Sequence, residues 1–368
     1  MPEIPVADAL PELDQALEAV PNRPAVFLIW PKTGDPYLGK TTVLRRRLLR
    51  LLREREAPSR LLNLRHTADR IEYWITGSKL ESAVVMYGLA RRRFPKTYVD
   101  VLRLRMPPYV KLILTNEFPR TQITTHLGRA IAAYYGPFRT RATAEKFESQ
   151  FLDLFQVRRC QEDLVPSPTH PGCIYGEMGM CLRPCQQVVS VEEYQHEVDR
   201  VASFLRTDGR SLLDAATTAR DQFSTDLDFE QAARQHKRIE KIQEVLALRD
   251  DLARDIDHLS GIAVTASAEQ QAVELWFVMN GAWQGSRRIT FEIVEGKPVS
   301  LDQKLREAVG TLTPAAQPMR QRQEYLAILA RWYYSTWRDG EWFPFDGLES
   351  IPYRKLVHAI SRVAQTQK

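Results

Sequence analysis

The pattern of apolar and polar positions in the first hundred residues predicts a small sheet flanked by helices. Short apolar runs bounded by turn residues predict strands, whereas apolar residues recurring every 3.6 positions predict helices. The predicted elements are, in order, an acidic helix over 7–20, the strand AVFLIW, a Gly-Asp-Pro turn, the short strand PYLG, a helix from about Thr42, the strand RIEYWITG (70–77) and the helix KLESAVVMYGLARRR. The first two strands are expected to form a hairpin.

The rest of the chain is predicted to be mainly helical, with one more hairpin of strands. SVEEYQHEVDRVASFL predicts a helix, and apolar residues at helical spacing over 212–223 and 229–246 predict two antiparallel helices joined near 224–228. QQAVELWFVMNGAWQGSRRITFEIV alternates around Asn280 and Gly281, which indicates a strand hairpin. The aromatic-rich segment after it is predicted to be helical. We therefore expect an α/β (α+β) protein with four regions, 1–105, 106–200, 205–250 and 251–368.

One short stretch, GDPYLGKT at 34–41, satisfies the phosphate-loop pattern of glycine, four residues, then Gly-Lys-Thr. Such a loop works because consecutive backbone N–H groups surround the phosphates. Pro36 has no N–H to donate, and Tyr37 and Leu38 are bulky for such a loop. No later apolar run of four ends in the aspartate that would hold magnesium. We therefore do not expect nucleotide binding, and another fold must explain this stretch.

Charge is distributed unevenly along the chain. The net charge is +5, but residues 1–150 hold 25 lysines and arginines against 15 aspartates and glutamates. A basic surface attracts nucleic acid through release of counterions, although single basic runs often only solvate helix faces. With no 18-residue apolar stretch and no signal peptide, we expect a cytoplasmic protein that does not bind membranes. The arginines expected to contact DNA are Arg45, Arg46, Arg50, Arg91, Arg92 and Arg93.

Several stretches, in the same order, resemble one known family. PAVFLIW followed by PYLGK and VLRRRLL resembles the opening of a GIY-YIG nuclease domain, specifically that of UvrC, a subunit of the bacterial excision-repair nuclease. LESAVVMYGLARRRFP, PPYVKLILTNEFPR, YYGPFRTRATAEKF and the cysteine region follow collinearly, over about residues 20–250 and more weakly to about 295. The resemblance implies that the phosphate-loop pattern is a nuclease strand, and it implies a role in nucleotide excision repair.

The resemblance also implies a catalytic set. In the family, a first-strand tyrosine helps activate water, a second-strand tyrosine and a helical arginine hold the phosphate, and a glutamate binds one divalent metal. Tyr37, Arg47 and Lys40 match retained positions of that set. Phe27 replaces the first tyrosine, and Met86 stands where the glutamate is expected.

These two departures point to impaired catalysis. Thioether sulfur is a poor ligand for magnesium, which prefers oxygen. Glu81 lies five residues before Met86, about 140° around the helix, so it is poorly placed as a substitute. The asparagine expected farther on becomes Tyr98 or a neighbour. We expect this region to bind DNA but incise it poorly or not at all. The alternative is an active endonuclease that makes a single incision near a lesion, and only then is magnesium or manganese expected.

All four cysteines fall within 26 residues, with the spacing C-x12-C-x7-C-x3-C. Clustering of every cysteine in a cytosolic protein favours a metal site over disulfides. Zinc and an iron–sulfur cluster both accept four thiolates, but the paired C-x2-C spacing of structural zinc is missing. The segment resembles the UvrC region that binds a 4Fe-4S cluster, which is therefore expected, with zinc as the alternative. The ligands would be Cys160, Cys173, Cys181 and Cys185.

LDFEQAAR resembles the UVR motif, the helical hairpin through which UvrC binds the helicase-like UvrB. The alternative is that the hairpin packs against its own domain. Beyond the strand hairpin only about 75 residues remain, too few for the family's RNase H-like nuclease and helix-hairpin-helix regions, so we expect a shortened relative. The residues expected to contact UvrB are Leu227, Phe229, Glu230, Ala233 and Arg234.

Overall fold

The structure is a computed structural model that describes residues 3–5, 10–53, 62–128, 131–291, 293–294, 297–298 and 300–365. Its helices pack against antiparallel sheets, so the expected α+β class is confirmed. Among the described helices, none combines the length and the apolar character that a membrane span requires.

The N-terminal region contains a sheet with the strand order β1-β4-β2-β3. The hairpin expected at its centre is confirmed as β2 and β3. Because side chains alternate along a strand, Phe27 and Ile29 pack towards α2, whereas Val26 and Leu28 pack towards α3. The elements are β1 (Glu3–Pro5), α1 (Leu10–Glu18), β2 (Ala25–Pro31), β3 (Tyr37–Thr41), α2 (Leu44–Leu52), β4 (Ala68–Ile75), α3 (Lys79–Arg93) and α4 (Tyr98–Leu102).

The middle region combines a sheet of order β6-β5-β7-β8 with helices. The predicted antiparallel helix pair is confirmed as α8 and α9, and its base joins a core formed with α5 and α7 through Leu212, Ile239 and Ile242. The elements are β5 (Tyr109–Ile113), β6 (Arg120–Thr124), β7 (Ala132–Gly136), α5 (Arg141–Leu152), α6 (Ile174–Glu177), a 3-10 helix (Pro184–Gln186), α7 (Val191–Arg206), α8 (Arg210–Thr225), α9 (Phe229–Ala247) and β8 (Arg254–Asp255).

The C-terminal region is built on a sheet of order β11-β10-β9-β14. The strands β10 and β11 meet at Asn280 and Gly281, whose φ angles of 50° and 69° suit a two-residue hairpin turn. The elements are β9 (Gly261–Ala266), β10 (Ala272–Met279), β11 (Ala282–Thr290), β12 (Ile293–Val294), β13 (Lys297–Pro298), α10 (Leu301–Gly310), α11 (Met319–Tyr333), β14 (Gly340–Pro344), a 3-10 helix (Leu348–Ser350) and α12 (Tyr353–Gln365).

The expectation of helix throughout the last segment is wrong at β14, which pairs antiparallel with β9. Gly261 leaves room there for the ring of Trp342, because a Cβ on residue 261 would lie 2.2 Å from that ring. Pairing with the edge of an existing sheet therefore overrides the local pattern.

The N-terminal and C-terminal regions pack directly against each other. One apolar cluster joins Tyr87 and Tyr98, from α3 and α4, to Leu326 and Trp332 of α11. Nearby, the backbone of Gly77 lies so close to Ser267 that a Cβ on residue 77 would be 2.1 Å from the Ser267 carbonyl carbon. The α11 helix therefore covers part of the surface that α3 and α4 present.

Candidate functional site

Phe27, Tyr37 and Arg47 lie together on the face of the N-terminal sheet that α2 covers. The Nη2 of Arg47 donates a hydrogen bond to the Oη of Tyr37 at 3.2 Å, and the ring centroids of Phe27 and Tyr37 are 6.1 Å apart. The Nε of Arg47 is buried and has no hydrogen-bond partner in the part of the chain that the structure describes. The fold thus assembles the retained tyrosine and arginine into one polar pair.

Phe27 is fully buried and supplies a ring without a hydroxyl. Its ring tip packs over Gly39, where a Cβ would lie 2.5 Å from the Phe27 Cζ. The glycine of PYLGK is thus explained by packing against this ring. Residues 37–41 pair along β2, so this stretch is a sheet strand and not a loop wrapped around a phosphate.

Lys40 lies on the opposite face of the sheet, because it pairs with Val26. There it lines a cleft of about 570 Å³ together with Lys79 and Arg331. Desolvation, followed by the charges of Arg331 and Lys79, lowers the pKa of Lys40. The structure therefore places Lys40 on a different surface from the Tyr37–Arg47 pair.

Met86, at the position expected for the metal-binding glutamate, packs with apolar residues of β2 on that same opposite face. Beside it, the hydroxyls of Tyr87 and Tyr98 each donate to the carboxylate of Glu324 at 2.6 Å. Glu324 belongs to α11 and is only 2% exposed. Burial and this carboxylate raise the pKa of both tyrosines, so both hydroxyls keep their protons. Tyr98 therefore has a structural role, in the contact between α4 and α11.

Glu81 has a structural role at the start of α3. It accepts the backbone N–H of Gly77 at 2.6 Å, and its own N–H donates to the side chain of Ser78 at 3.0 Å. Burial raises the pKa of Glu81 to about 7. Within the described residues, no group of three or more His, Cys, Asp or Glu side chains is placed to hold a metal ion. The residues near Met86 therefore do not fit a magnesium site.

The arginines expected to contact DNA divide into two groups. Arg45, Arg91 and Arg93 contact the fold: the Nε of Arg45 donates to the Val20 carbonyl at 2.7 Å, the Nη1 of Arg91 donates to the hydroxyl of Tyr87 at 3.5 Å, and the guanidinium of Arg93 lies 4.7 Å from the ring centroid of Trp30. The side chains of Arg46, Arg50 and Arg92 are exposed to solvent.

The four cysteines lie in a loop-rich segment that follows α5. Cys181 and Cys185 are buried, Cys160 is half-buried, Cys173 is exposed, and all four thiols are free. Burial, followed by the other three thiols, raises the pKa of Cys181 to about 11. Burial and two of those thiols also raise the pKa of Cys185. The charges of the other thiols thus reach Cys181 and Cys185, but no three of these four described cysteines are placed to hold a metal ion.

The turn of the hairpin α8–α9 exposes apolar side chains. Leu227 has a φ of 60° and is 72% exposed, and Phe229 at the start of α9 is 67% exposed. One turn on, Ala233 is exposed and Arg234 pairs with Glu230 at 2.6 Å. All five residues predicted to contact a partner thus reach solvent at one end of the hairpin.

The fold also assembles a group of arginines that the sequence prediction missed. They come from three predicted regions, and the available signals, the RLR and RTR triplets, are too short to interpret alone. The residues that line this cleft include Arg103, Arg105, Arg139, Arg141 and Arg331.

Comparisons with known proteins point to one family. A family model described as "UvrC/Cho excinuclease, middle domain" matches residues 108–204, close to the predicted middle region. The chain is similar to the "UvrABC system protein C" of Lachnospira eligens, 26% identical over 290 residues, covering 77% of this chain and 47% of the relative. The protein of the same name from Moorella thermoacetica is 27% identical over 73% of this chain and 44% of the relative.

A third relative extends the match along nearly the whole chain. The "UvrABC system protein C" of Ruminiclostridium cellulolyticum is 23% identical over 96% of this chain and 59% of the relative. The chain thus spans about half the length of the curated relatives it matches. No solved structure is significantly similar to it. Residues 108–204 thus match the middle domain of the UvrC family, and the relatives that cover most of the chain support its membership of that family.

Proposed function

We propose that this protein acts in nucleotide excision repair, where it binds DNA and a UvrB-type partner but incises poorly at its GIY-YIG-like site. The observation that supports poor incision is the position of Met86. A thioether packed on the sheet stands where the family resemblance implies a metal-binding carboxylate. Phe27 adds to this, because its buried ring has no hydroxyl to help activate water.

Loss of two groups is expected to affect catalysis as a unit. Phosphodiester hydrolysis needs an activated nucleophile and a cation for the developing charge. Groups that act together give strongly non-additive losses, so Tyr37 and Arg47 alone are not expected to sustain efficient cleavage. In that case the hydrogen-bonded pair of Tyr37 and Arg47 remains as part of the fold and as a contact to DNA.

The second candidate function is an active endonuclease making a single incision near a lesion. The intact Tyr37–Arg47 pair is the observation that favours it. In that case a carboxylate from another part of the complex would have to supply the metal ligand.

An incision assay separates the two candidates. A lesion-bearing duplex is incubated with magnesium or manganese, with and without the UvrB of the same organism, and an Arg47→Ala variant serves as the control for contaminating nucleases. We expect binding to DNA or UvrB without incision. Incision that disappears in Arg47→Ala would overturn the proposal and establish the endonuclease.

A double variant tests the residue assignment itself. We expect Phe27→Tyr combined with Met86→Glu to create metal-dependent nicking if these two residues are the lost catalytic positions. Nicking that remains absent in a folded double variant would show that the site has diverged beyond these two positions.

We further propose that the four cysteines hold a 4Fe-4S cluster. The chemistry of the donor set supports this, because four free thiols lie in one segment and two of them are buried, although the structure does not place three of these described thiols around one metal position. Two N–H groups already point at sulfur: the backbone of Arg183 donates to Cys181 Sγ at 3.4 Å and the guanidinium of Arg158 to Cys160 Sγ at 3.6 Å. Such donors stabilise the charge that a cluster places on its thiolates. The cluster would fix this segment beside α7.

Metal analysis tests the cluster directly. Protein purified without oxygen should contain four irons and matching sulfide per chain, as implied for a 4Fe-4S cluster. Cys181→Ser should lose iron, whereas His170→Ala, in the same segment but without a thiol, should keep it. Stoichiometric zinc without iron would establish the alternative metal.

A further inference from the structure

A cleft of about 780 Å³ separates the loop between α4 and β5 from the start of α5 and from α11. Its apolar floor includes Pro107, Pro108 and Phe138. Five arginines line it, and all five side chains are exposed: Arg103, Arg105, Arg139, Arg141 and Arg331. The cleft exists only in the folded chain, because these arginines are separated by up to 228 positions in the sequence.

Most of this positive charge is not neutralised. Arg141 pairs with Glu145 at 2.7 Å. Considering only residues that the structure describes, the other four guanidinium groups form no ion pair and no hydrogen bond. The carboxylate of Asp250 lies near the rim, where it accepts the backbone N–H of Arg139 at 2.7 Å. Like charges that face one cleft repel each other, so an anionic ligand would relieve this repulsion.

The positive surface continues beyond this cleft. Arg331 also lines the cleft that holds Lys40 and Lys79, and its charge helps to lower the pKa of Lys40. In that second cleft, Asp339 accepts the backbone N–H of Lys79 at 2.6 Å. The basic groups therefore run from the N-terminal sheet, past α11, to the start of α5. A line of charges of this kind suits a polyanion better than a small anion.

The chemistry of the lining favours contacts with phosphates over contacts with bases. Guanidinium groups bind phosphate through paired N–H donors. The rings offer little for stacking, because Phe138 is fully buried and the hydroxyl of Tyr334 donates to the Pro137 carbonyl at 2.8 Å. Contacts with the backbone position a nucleic acid without reading its sequence.

We propose that this arginine cleft binds the phosphate backbone of DNA and, through Arg331, directs the strand towards the cleft of Lys40. The proposal rests on the proposed function, since it assigns the DNA path of a protein that binds DNA. It also places the main electrostatic contact away from the basic runs at 45–55 and 91–93.

The test compares two double variants of the full chain with equal charge changes. Arg139→Gln with Arg331→Gln removes two unpaired cleft charges. Arg306→Gln with Arg362→Gln, the control, removes two exposed arginines that pair with Asp302 and Glu341. Affinity for a labelled duplex, and for one of its single strands, is measured by fluorescence anisotropy over a range of salt concentrations.

We expect the cleft variant to bind at least tenfold more weakly, with a salt slope shallower by about 1.8 on the duplex, or about 0.9 per lost phosphate contact. The control should lose much less, and both should melt like the wild type. The form of DNA, duplex or single strand, whose affinity falls more in the cleft variant is the form that the cleft binds. Equal affinity of the two variants for DNA would overturn the assignment of the cleft as the DNA-binding surface while leaving DNA binding itself intact. A wild-type protein that binds no DNA would overturn the proposed function as well.

Discussion

The N-terminal region and the hairpin α8–α9 both contain residues at positions that resemble the family, but the fold buries those of the first and exposes those of the second. In the first, Tyr87 and Tyr98 are buried against α11 through the carboxylate of Glu324. In the second, Leu227 and Phe229 stay exposed, and only the base of the hairpin joins a core. A family-like position can take part in chemistry or binding only where the fold leaves it accessible. Substitutions should therefore change stability in the first region and binding in the second.

The largest expected effect is at Glu324. Glu324→Ala should lower the free energy of unfolding by about 4 kcal/mol, because two buried tyrosine hydroxyls lose the charged group that accepts their hydrogen bonds. Urea unfolding followed by circular dichroism measures the loss. Glu341→Ala, which removes a more exposed carboxylate paired with Arg362, is the control and should cost well under 1 kcal/mol. Equal losses in both variants would mean that α11 does not hold α3 and α4.

A smaller effect is expected at Glu81, through pH. Its pKa of about 7, raised by burial from an ordinary value of 4.5, means that the folded state binds this proton more tightly than the unfolded state. Stability is therefore lost as the pH rises from about 4.5 to 7, by about 3 kcal/mol. Glu81→Gln stays neutral and can still accept from Gly77, so it should remove most of this loss.

The comparison of Glu81→Gln with wild type is made from melting temperatures at pH 4.5 and pH 8. Glu117→Gln, at an exposed carboxylate, should leave the wild-type pH dependence in place. A Glu81→Gln curve parallel to that of the wild type would show that this carboxyl does not titrate on folding.

The hairpin should show the smallest effect on stability and the clearest effect on binding. Leu227→Ala with Phe229→Ala should weaken the proposed binding to UvrB at least tenfold, about 1.4 kcal/mol, because interfaces bury exposed apolar anchors. Titration calorimetry measures the affinity, and the melting temperature should not change. Ile131→Ala, at a residue 73% exposed outside the hairpin, is the control. Unchanged affinity in the double variant would exclude the hairpin turn from the interface.

The features that the sequence predicted correctly are set by nearby residues. The strand hairpin at Asn280 and Gly281 follows from backbone conformations that only a few residue types adopt readily. Tyr37 and Arg47 are only ten positions apart, and they meet because the strand β3 leads almost directly into the helix α2. Apolar spacing was enough to define α8 and α9.

The features that the sequence did not predict depend on distant partners. Tyr87 contacts Glu324 across 237 positions, and no local pattern marks that contact. The strand β14 forms because β9 offers a free edge, although the surrounding residues suit a helix. The arginine cleft needs three regions of the chain to be folded at once.

The close approach of Gly77 to Ser267 bears on how the chain can be divided and how it can diverge. A fragment that ends near residue 105 would lose both this contact and the cover that α11 provides, and it would expose apolar surface to solvent. Glycine at position 77 is required only while the C-terminal sheet lies against it. Among relatives, a larger residue at this position should therefore appear together with the loss or displacement of that sheet, so this one position would report on the architecture of the other half of the chain.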